Sequence, residues 1–310
     1  MPSDVIRKSR SLINLANILF VLLVITELIP SKRSIAGTGY TIGLFILIQL
    51  IYIAFVVFGK RRQKVQTYSD VVGIIYILLL SWELLTAKFN LLDKSLYPAP
   101  EEVIRLFIHD LPELLKGLVS SFRLLFLGYL LALLLAIPSA LILGWRKRLY
   151  YAANPFTKVL GPIPPTVYIP YAIAILPAFM ASSVFVIFVG AFWPIFINTL
   201  NGVFNIEKKI IDSARALNVN ERTMLLEIIL PGALPSVFTG ATIGLVFSFV
   251  LLTSAELIGA TSGMGWYVKY FSDFADYHRV IVGIVFIGLV VTFVTYFYEK
   301  LENHLLRWRR

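Results

Sequence analysis

Residues Ile210–Pro235 read IIDSARALNVNERTMLLEIILPGALP, a charged stretch that lies between two apolar runs. Ile210, Ala214 and Leu217 recur at helical spacing, which predicts an amphipathic helix with its polar residues on the other faces. The small side chains around Ala214 would let another surface approach this helix closely. The first part of the stretch is therefore expected to be a helix that offers one face to a neighbour.

The second part of the stretch predicts a turn and another helix. Asn218 follows the apolar pattern, and asparagine tolerates the left-handed conformation that often ends a helix. Asn220 is a good N-cap for a helix whose first turn contains Glu221. Pro231 predicts the end of this second helix, and Pro235 predicts the start of the next apolar helix. We expect two short helices joined by a tight turn; a hairpin lying on the lipid surface is the alternative.

Apolar runs of membrane-spanning length occupy most of the remaining chain. Each run is close to the ~20 residues that a helix needs to cross the hydrocarbon core, and lipid requires every backbone polar group to be paired internally. The predicted fold class is an all-α polytopic membrane protein with about eight transmembrane helices. The runs are Leu12–Ile29, Tyr40–Phe58, Val71–Thr86, Leu118–Leu143, Thr157–Met180, Ser182–Leu200, Val237–Ile258 and Val280–Tyr298.

Composition agrees with this fold class and excludes several kinds of site. Of the 310 residues, 58% are hydrophobic and 15% are charged, whereas about 25% of a soluble domain is charged. The absence of cysteine excludes disulfides, thiolate metal sites and a cysteine nucleophile. Because His109, His278 and His304 are far apart in the sequence, no metal site is predicted.

Positive charge predicts the orientation of the chain. The net charge is +10, and most lysines and arginines lie at the two termini and in the connections on the side of the quoted stretch. In membrane proteins such residues mark the cytoplasmic face, so we expect no nucleic-acid partner. The expected location is the cell (plasma) inner membrane, with both termini and the quoted stretch in the cytoplasm.

Two segments depart from a simple apolar run. Prolines interrupt Thr157–Met180, and irregular backbone at membrane depth is tolerated only where it is buried in protein or lines a cavity. This segment is therefore expected to line a pathway, with a kinked packing helix as the alternative. In Tyr97–Lys116, Glu101 and Glu102 follow Pro100 at a predicted helix start. That helix is expected either on the outer membrane interface or packed on its neighbours.

Several segments resemble a family of transport proteins. DSARALN (Asp212–Asn218) followed by ILP (Ile229–Pro231) is similar to the Glu-Ala-Ala loop of binding-protein-dependent ABC importer permeases, with Asp212 replacing glutamate and Asn218 replacing glycine. Five other segments resemble, in order, the nitrate/sulfonate/taurine branch of that family. They are SWELL (Ser81–Leu85), YPAPEEV (Tyr97–Val103), GPIPPTVYIP (Gly161–Pro170), GAFWPIFINTLNGV (Gly190–Val203) and AELIGATSGMGWYV (Ala255–Val268).

The resemblance implies a fold and a set of partners. It implies a type I ABC importer permease core at residues 66–310, with cytoplasmic coupling helices at about 206–230. Residues 1–65 fall outside it and are predicted to form an added transmembrane hairpin of two helices. The implied partners are cytoplasmic ABC ATPase subunits, a second permease copy in a homodimer, an extracytoplasmic substrate-binding protein and the lipid bilayer. The implied substrate is a small anion such as a sulfonate or nitrate.

The resemblance also implies which residues contact the ATPase. It assigns this contact to Asp212, Ser213, Ala214, Leu217 and Asn218, and the charges of Arg215 and Glu221 add two candidate ion-pairing groups. The chain has no Gly-x4-Gly-Lys-Ser/Thr phosphate-binding loop. We therefore expect a transport subunit that is not itself an enzyme and holds no cofactor, with ATP and Mg²⁺ bound by the partner ATPase.

Polar and unusual residues within the apolar runs are candidates for the translocation path, since such residues are costly in lipid and often functional. For Glu256, the alternative is that it holds the glycine-rich loop that follows it. For Arg123 the alternative is snorkelling to the interface, and for Asn198 it is hydrogen bonding between helices. The candidates are Arg123, Pro164, Trp193, Asn198, Ser254 and Glu256.

Two other functions are weighed against this interpretation. An ion-driven secondary transporter often has internal repeats and buried acidic relays, and neither is evident in the sequence. An intramembrane serine hydrolase would use Ser262, which lies between Thr261 and Gly263. It would also need a base, and His278 is not evidently placed for that role.

Overall fold

The computed structural model describes residues 15–33, 38–58 and 62–307, and within these ranges the chain is helical without strands. The chain therefore has the predicted all-α class. The helices are α1 (Leu15–Leu28), α2 (Thr38–Phe58), α3 (Arg62–Glu83), α4 (Pro100–His109), α5 (Leu111–Trp145), α6 (Lys147–Leu160), α7 (Tyr168–Ile175), α8 (Phe179–Phe204), α9 (Lys208–Ala216), α10 (Glu221–Gly259), α11 (Met264–Asp273) and α12 (Tyr277–Leu305).

Six of the described helices are long and apolar enough to cross a membrane: Gly39–Val57, Gln66–Lys88, Leu111–Trp145, Phe179–Phe204, Glu221–Gly259 and Tyr277–Leu305. Two of the eight predicted runs form shorter apolar helices, Leu15–Leu28 and Pro165–Ile175. Helix α1 has 14 residues, or about 21 Å at the helical rise, against a hydrocarbon core of about 30 Å. The first three residues of its predicted run lie outside the described residues.

The run Thr157–Met180 does not form one continuous span, because its prolines break the helix. Helix α6 ends at Leu160, and the chain turns before a short 3₁₀ helix at Pro165–Val167 that leads into α7. Proline lacks the N–H that would continue the backbone ladder, and its ring crowds the preceding turn. Pro164 lies within this break as the N-cap of the 3₁₀ helix.

The predicted helix in Tyr97–Lys116 is also divided. Helix α4 begins at Pro100 as expected, and the Glu102 carboxylate accepts a hydrogen bond from the Ala99 N–H at 3.2 Å. Helix α4 ends at His109, and α5 begins at Leu111. Glu101 is fully buried, so α4 packs on its neighbours, which was the alternative to an interfacial position.

The described residues belong to two compact units. The first contains residues up to Pro112 together with Phe271–Val282, and the second contains Glu113–Tyr270 together with residues from Gly283 onward. In the first unit, α1 packs against α2 and α3 around Leu23, Phe45 and Tyr76. A polar chain crosses this packing: the Tyr76 hydroxyl donates to the Gln49 carbonyl oxygen at 3.0 Å, and the Gln49 amide donates to Asn17 at 2.8 Å.

In the second unit, α5, α8 and α10 pack closely through small side chains. The core is formed by Ala132, Ala136, Ala140, Ala191, Ile195, Phe196, Leu200 and Ala241. A Cβ atom added at Gly240 would lie 2.8 Å from Asn198 Cβ, so α8 and α10 pack backbone to backbone there. In lipid the hydrophobic effect does not drive helices together, so they associate by close van der Waals packing, which small residues permit. The quoted stretch lies between these two packed helices in the chain: it starts after the end of α8 at Phe204 and contains the first part of α10.

Candidate functional site

Helix α9 and the start of α10 form a tight hairpin, which we call the α9–α10 hairpin (residues 208–229). Helix α9 ends at Ala216, and Asn218 has a φ of 52°. The Asn218 N–H donates to the Arg215 carbonyl at 2.9 Å, and the Val219 N–H donates to the Ala214 carbonyl at 3.3 Å. These two bonds form the Schellman arrangement that closes a helix C-terminus. The prediction that Asn218 is a left-handed residue ending the helix is confirmed.

The start of α10 also follows the prediction. The Asn220 side-chain oxygen accepts a hydrogen bond from the Thr223 N–H at 2.8 Å. Asn220 itself is extended, with φ −70° and ψ 160°, as an N-cap residue is. Glu221 stands in the first turn, where a negative charge interacts favourably with the helix dipole. Both ends of the turn between the helices are therefore closed by hydrogen bonds.

The predicted end of the second helix at Pro231 is wrong, because α10 continues through Pro231 and Pro235 to Gly259. The residues just before Pro231, Met224–Ile229, adopt π-helical geometry, in which the Leu230 N–H donates to the Leu225 carbonyl. A proline in a regular helix removes the hydrogen bond to the carbonyl four residues before it, and its ring crowds that same carbonyl. The wider π turn precedes this disturbance, and the hairpin passes into the long helix without a break.

Ala214 is buried in the chain's own core, which corrects the expectation that its small side chain exposes the backbone to another surface. Its exposed fraction is 5%. It packs in a cluster with Leu141, Val203, Met224, Ile229 and Ala233. The small residue lets α9 approach helices α5, α8 and α10 of this chain. Ala214 therefore holds the hairpin in place.

The apolar stripe predicted for α9 is only partly covered. Leu217 is 78% exposed and Ile210 is 47% exposed, although both lie on the same side of the helix as buried Ala214. Asp212, Ser213, Arg215, Asn218 and Glu221 are exposed as well. Six of the seven predicted coupling residues thus lie on the surface of the hairpin. Leu217 is the most exposed large apolar residue among them.

Beside the hairpin lies a cleft of about 540 Å³ between α9 and the adjoining ends of α5, α6 and α8. The guanidinium of Arg146 lies 3.4 Å from the Glu221 carboxylate, and the Arg215 guanidinium lies 5.8 Å from the Trp145 ring. Both contacts are made within this chain, so the charges of Arg215 and Glu221 are partly engaged before any partner binds. An exposed pair such as Arg146–Glu221 contributes about 0–1 kcal/mol.

Most candidates for the translocation path have intrahelical or surface positions. The Asn198 amide donates to the Pro194 carbonyl at 2.8 Å, and the Ser254 hydroxyl donates to the Val250 carbonyl at 2.8 Å. Trp193 is half-buried in an edge-to-face contact with Phe192. Arg123 and Pro164 are exposed. These positions do not bring the predicted residues together into one polar site.

Glu256 supports the loop that follows it. Its carboxylate is 1% exposed and accepts hydrogen bonds from the Ser121 hydroxyl at 2.6 Å and from the Gly265 N–H at 2.7 Å. The Ser121 oxygen accepts a bond from the Met264 N–H at 2.8 Å. Gly263 has a φ of 141°, and a Cβ atom there would overlap the Glu256 carboxylate. The alternative weighed for Glu256, that it holds the glycine-rich loop, accounts for this geometry.

Ser262 has a serine as its hydrogen-bond partner. Its oxygen lies 2.8 Å from the Ser120 oxygen. His278 Nε2 lies 3.4 Å from the Glu102 carboxylate. The partner of Ser262 is thus a serine and that of His278 is a carboxylate, so neither contact supports the serine hydrolase alternative.

Sequence reasoning missed a group of three buried carboxylates in the first unit: Glu27, Glu83 and Glu101. One oxygen from each lies within 4.8 Å of the others. Burial raises the pKa of Glu101 above its usual range, because water no longer stabilises the charged form. One feature of the sequence could have revealed this group: Glu27 and Glu83 lie near the ends of two apolar runs, where an acidic residue is unusual. Ser121 and Arg146 were also missed, because their partners are distant in sequence.

Comparisons with known proteins agree with the resemblance found in the sequence. A sequence profile of the family described as binding-protein-dependent transport system inner membrane component matches residues 125–307. The chain is 27% identical over 255 residues to a putative aliphatic sulfonates transport permease of Bacillus subtilis, covering 81% of this chain and 90% of the relative.

It is 28% identical over 243 residues to a nitrate import permease of Synechocystis, covering 74% and 86% of the two chains. It is also 28% identical over 244 residues to a taurine transport system permease of Escherichia coli, covering 76% and 88%. Among solved structures, a chain of the MetNI methionine ABC transporter in an inward-facing conformation has the same fold, with a TM-score of 0.54 at 17% identity. That match covers 63% of this chain and 97% of the other.

Proposed function

Because this chain belongs to the family of binding-protein-dependent transport system inner membrane components, as an ABC importer permease of the nitrate, sulfonate and taurine branch, we propose that its α9–α10 hairpin binds a separate cytoplasmic ATPase. ATP and Mg²⁺ bind that partner, and its closure switches the permease between two access states. A second copy of the chain completes the permease as a homodimer. An extracytoplasmic binding protein delivers the substrate.

The exposure of Leu217 is the observation that carries this proposal. A leucine that is 78% exposed stands beside Arg215 and Asn218, whose polar side chains favour water over lipid. The Schellman bonds and the Asn220 cap hold its backbone in one conformation. A rigid apolar knob at a polar surface is suited to a hydrophobic pocket on a partner, because little conformational entropy is lost on binding.

The burial of Ala214 supplies a route by which the ATPase would move the membrane helices. Ala214 contacts a core that includes Leu141 of α5, Val203 of α8 and Ala233 of α10. Packed cores transmit displacement, because they have few voids and low compressibility. A force on α9 would therefore act directly on the ends of three long helices. A flexible loop in the same place could not transmit that force.

We propose a small anion as the substrate. This proposal rests on the relatives that match most of the chain, which are named as permeases for aliphatic sulfonates, nitrate and taurine. The measurement that tests it is ligand binding to the purified binding protein of the same transport system. Binding of sulfonates or nitrate is expected, and a binding protein that takes only cations or sugars would refute the proposed substrate class while leaving the ATPase contact intact.

Leu217→Glu tests the contact with the ATPase. Burying a leucine contributes about 1.5–3 kcal/mol, and a glutamate in the same apolar pocket would add the cost of burying a charge. Since 1.4 kcal/mol corresponds to a factor of ten in affinity, we expect the variant to bind its ATPase at least about tenfold more weakly. Tagged permease would be purified from membranes, and the co-purified ATPase chain and its ATP hydrolysis would be measured.

Leu305→Glu is the matched control, because it makes the same substitution at an exposed leucine in α12, a helix that is not part of the hairpin. It should retain the ATPase, and both variants should reach the membrane with unchanged thermal unfolding. If Leu217→Glu keeps full ATPase binding and ATP-dependent uptake, the hairpin is not the contact. Uptake that continues without any ATPase and stops when the ion gradient is removed would favour the ion-driven transporter.

A further inference from the structure

The carboxylate cluster of Glu27, Glu83 and Glu101 joins three helical segments of the first unit. Glu27 stands at the end of α1, Glu83 at the end of α3 and Glu101 in the first turn of α4. Their exposed fractions are 4%, 0% and 0%. None of these residues belongs to the α9–α10 hairpin, so the inference below does not rest on the proposed ATPase contact.

The carboxylate oxygens of the cluster lack well-formed hydrogen bonds. All six carboxylate oxygens are buried, and none of them has a hydrogen-bond partner among the described residues. The hydroxyl of Thr41, which is also fully buried, has no hydrogen-bond partner either, and it approaches the Glu27 carboxylate. Buried polar atoms are nearly always satisfied in folded proteins. So many unsatisfied oxygen atoms at one place indicate a missing positive group.

Lys88 does not fill that role. Its ammonium group donates to the Ile29 carbonyl at 2.7 Å, the Ser31 hydroxyl at 2.9 Å and the Glu27 backbone carbonyl at 3.3 Å. An ammonium group has three donors, so these bonds use all of them. Its distance to the Glu83 carboxylate is 3.4 Å, which is an ion pair without a hydrogen bond. When all three carboxylates are ionised, one ammonium group leaves two negative charges in a buried position without a counterion.

We infer that the carboxylate cluster, together with Thr41, is a binding site for one divalent cation that prefers oxygen ligands and has the size of calcium. Calcium takes carboxylate, carbonyl and hydroxyl oxygens at about 2.3–2.6 Å, so two ligands on opposite sides of the ion stand about 5 Å apart. The separation of up to 4.8 Å within the cluster fits this sphere. Magnesium requires a tighter octahedron and should bind more weakly here.

The charge of such an ion matches the site. A divalent cation balances the two uncompensated negative charges, which a monovalent ion would leave half balanced. Because Glu27, Glu83 and Glu101 come from α1, α3 and α4 and Thr41 comes from α2, the bound ion would hold α1 against the helices that follow it. The site is therefore expected to stabilise the packing of the first unit in addition to binding the metal.

Equilibrium dialysis of radioactive calcium against the full-length protein in detergent, stripped beforehand with EDTA, tests the site. We expect about one calcium ion per chain, with a dissociation constant in the micromolar to millimolar range. Calcium should also raise the temperature of thermal unfolding, because it binds the folded chain. Magnesium should compete only at a higher concentration than calcium.

Three conservative variants and one control make the test specific. Glu83→Gln, Glu101→Gln and Thr41→Val should each weaken calcium binding, with the two carboxylate variants losing at least about tenfold in affinity. Glu113→Gln changes an exposed glutamate at the start of α5 and should leave calcium binding and its thermal effect unchanged. Loss of binding in Glu113→Gln to the same extent would mean that calcium binds surface acids.

The competing explanation is that protons neutralise the cluster. In that case the stripped protein would bind no calcium saturably, EDTA would leave its unfolding temperature unchanged, and Glu101→Gln would be as stable as the original chain. This set of results would overturn the inference even if every variant folds. The wild-type measurements alone decide the question if the variants fail to fold. Leu217→Glu should retain calcium binding, which separates this inference from the proposed ATPase contact.

Discussion

Ser121→Ala separates the two roles weighed for Glu256, a support for the glycine-rich loop or a group in the translocation path. Ser121 donates to the Glu256 carboxylate at 2.6 Å and accepts from the Met264 N–H at 2.8 Å. All three groups are buried. The substitution removes one hydroxyl, leaves the backbone unchanged and deprives two buried groups of their partner. A support role predicts a loss of stability, whereas a path role predicts a loss of transport alone.

The size of the effect follows from the two bonds. A hydrogen bond to a charged group contributes about 1.5–3 kcal/mol in soluble proteins, but bonds between membrane helices average about 0.6 kcal/mol and reach about 1.7. Two bonds, one to a carboxylate, therefore give a loss of about 2–3 kcal/mol. With about 2–4 °C per kcal/mol for a unit of this size, the unfolding temperature should fall by about 5–10 °C.

The assay is thermal unfolding of the purified chain in detergent, with Ser254→Ala as the matched control. Ser254 lies in the same helix as Glu256, and its hydroxyl donates only to the Val250 carbonyl of its own helix, so its removal should cost less than about 1 kcal/mol. Glu256→Gln and the double variant complete a cycle, which should show non-additivity because the two side chains share one bond. Unchanged stability in Ser121→Ala, combined with lost uptake, would refute the support role.

Other consequences concern the hairpin and the glycine-rich loop. Asn218→Gly should preserve the turn, whereas Asn218→Val should cost about 1–2 kcal/mol because a β-branched residue resists positive φ; urea or thermal unfolding would show the difference. Ala214→Arg should sharply reduce the yield of folded protein in the membrane, since it places a charge in the core, and normal yield would contradict the burial of Ala214. Gly263→Ala should lower the unfolding temperature, because both its φ of 141° and the space taken by Glu256 exclude a side chain. Equal unfolding temperatures for Gly263→Ala and the original chain would count against the described loop.

Features set by neighbouring residues were predictable from the sequence. The hydrogen bonds around Asn218 and Asn220 join residues three to five positions apart, so residue type and spacing were sufficient to predict the end of α9 and the start of α10. The apolar runs likewise predicted the helical class, because a helix in lipid satisfies its backbone from its own residues. Pro231 misled the prediction of a helix end, since a π turn before it lets the helix continue.

Features set by packing were not predictable, because their partners are far apart in the chain. Ser121 and Glu256 are separated by 135 residues. The residues around a serine in an apolar run do not indicate which distant residue it will contact. Ala214 illustrates the functional consequence: a small residue at a helix surface permits close approach from either side, and only the fold decides which side is occupied. Since the chain's own helices occupy it, the surface left for a partner is the edge that contains Leu217. The family motif therefore combines two features: the buried Ala214 packs the hairpin against the membrane helices, and the exposed residues form the surface that we propose binds the ATPase.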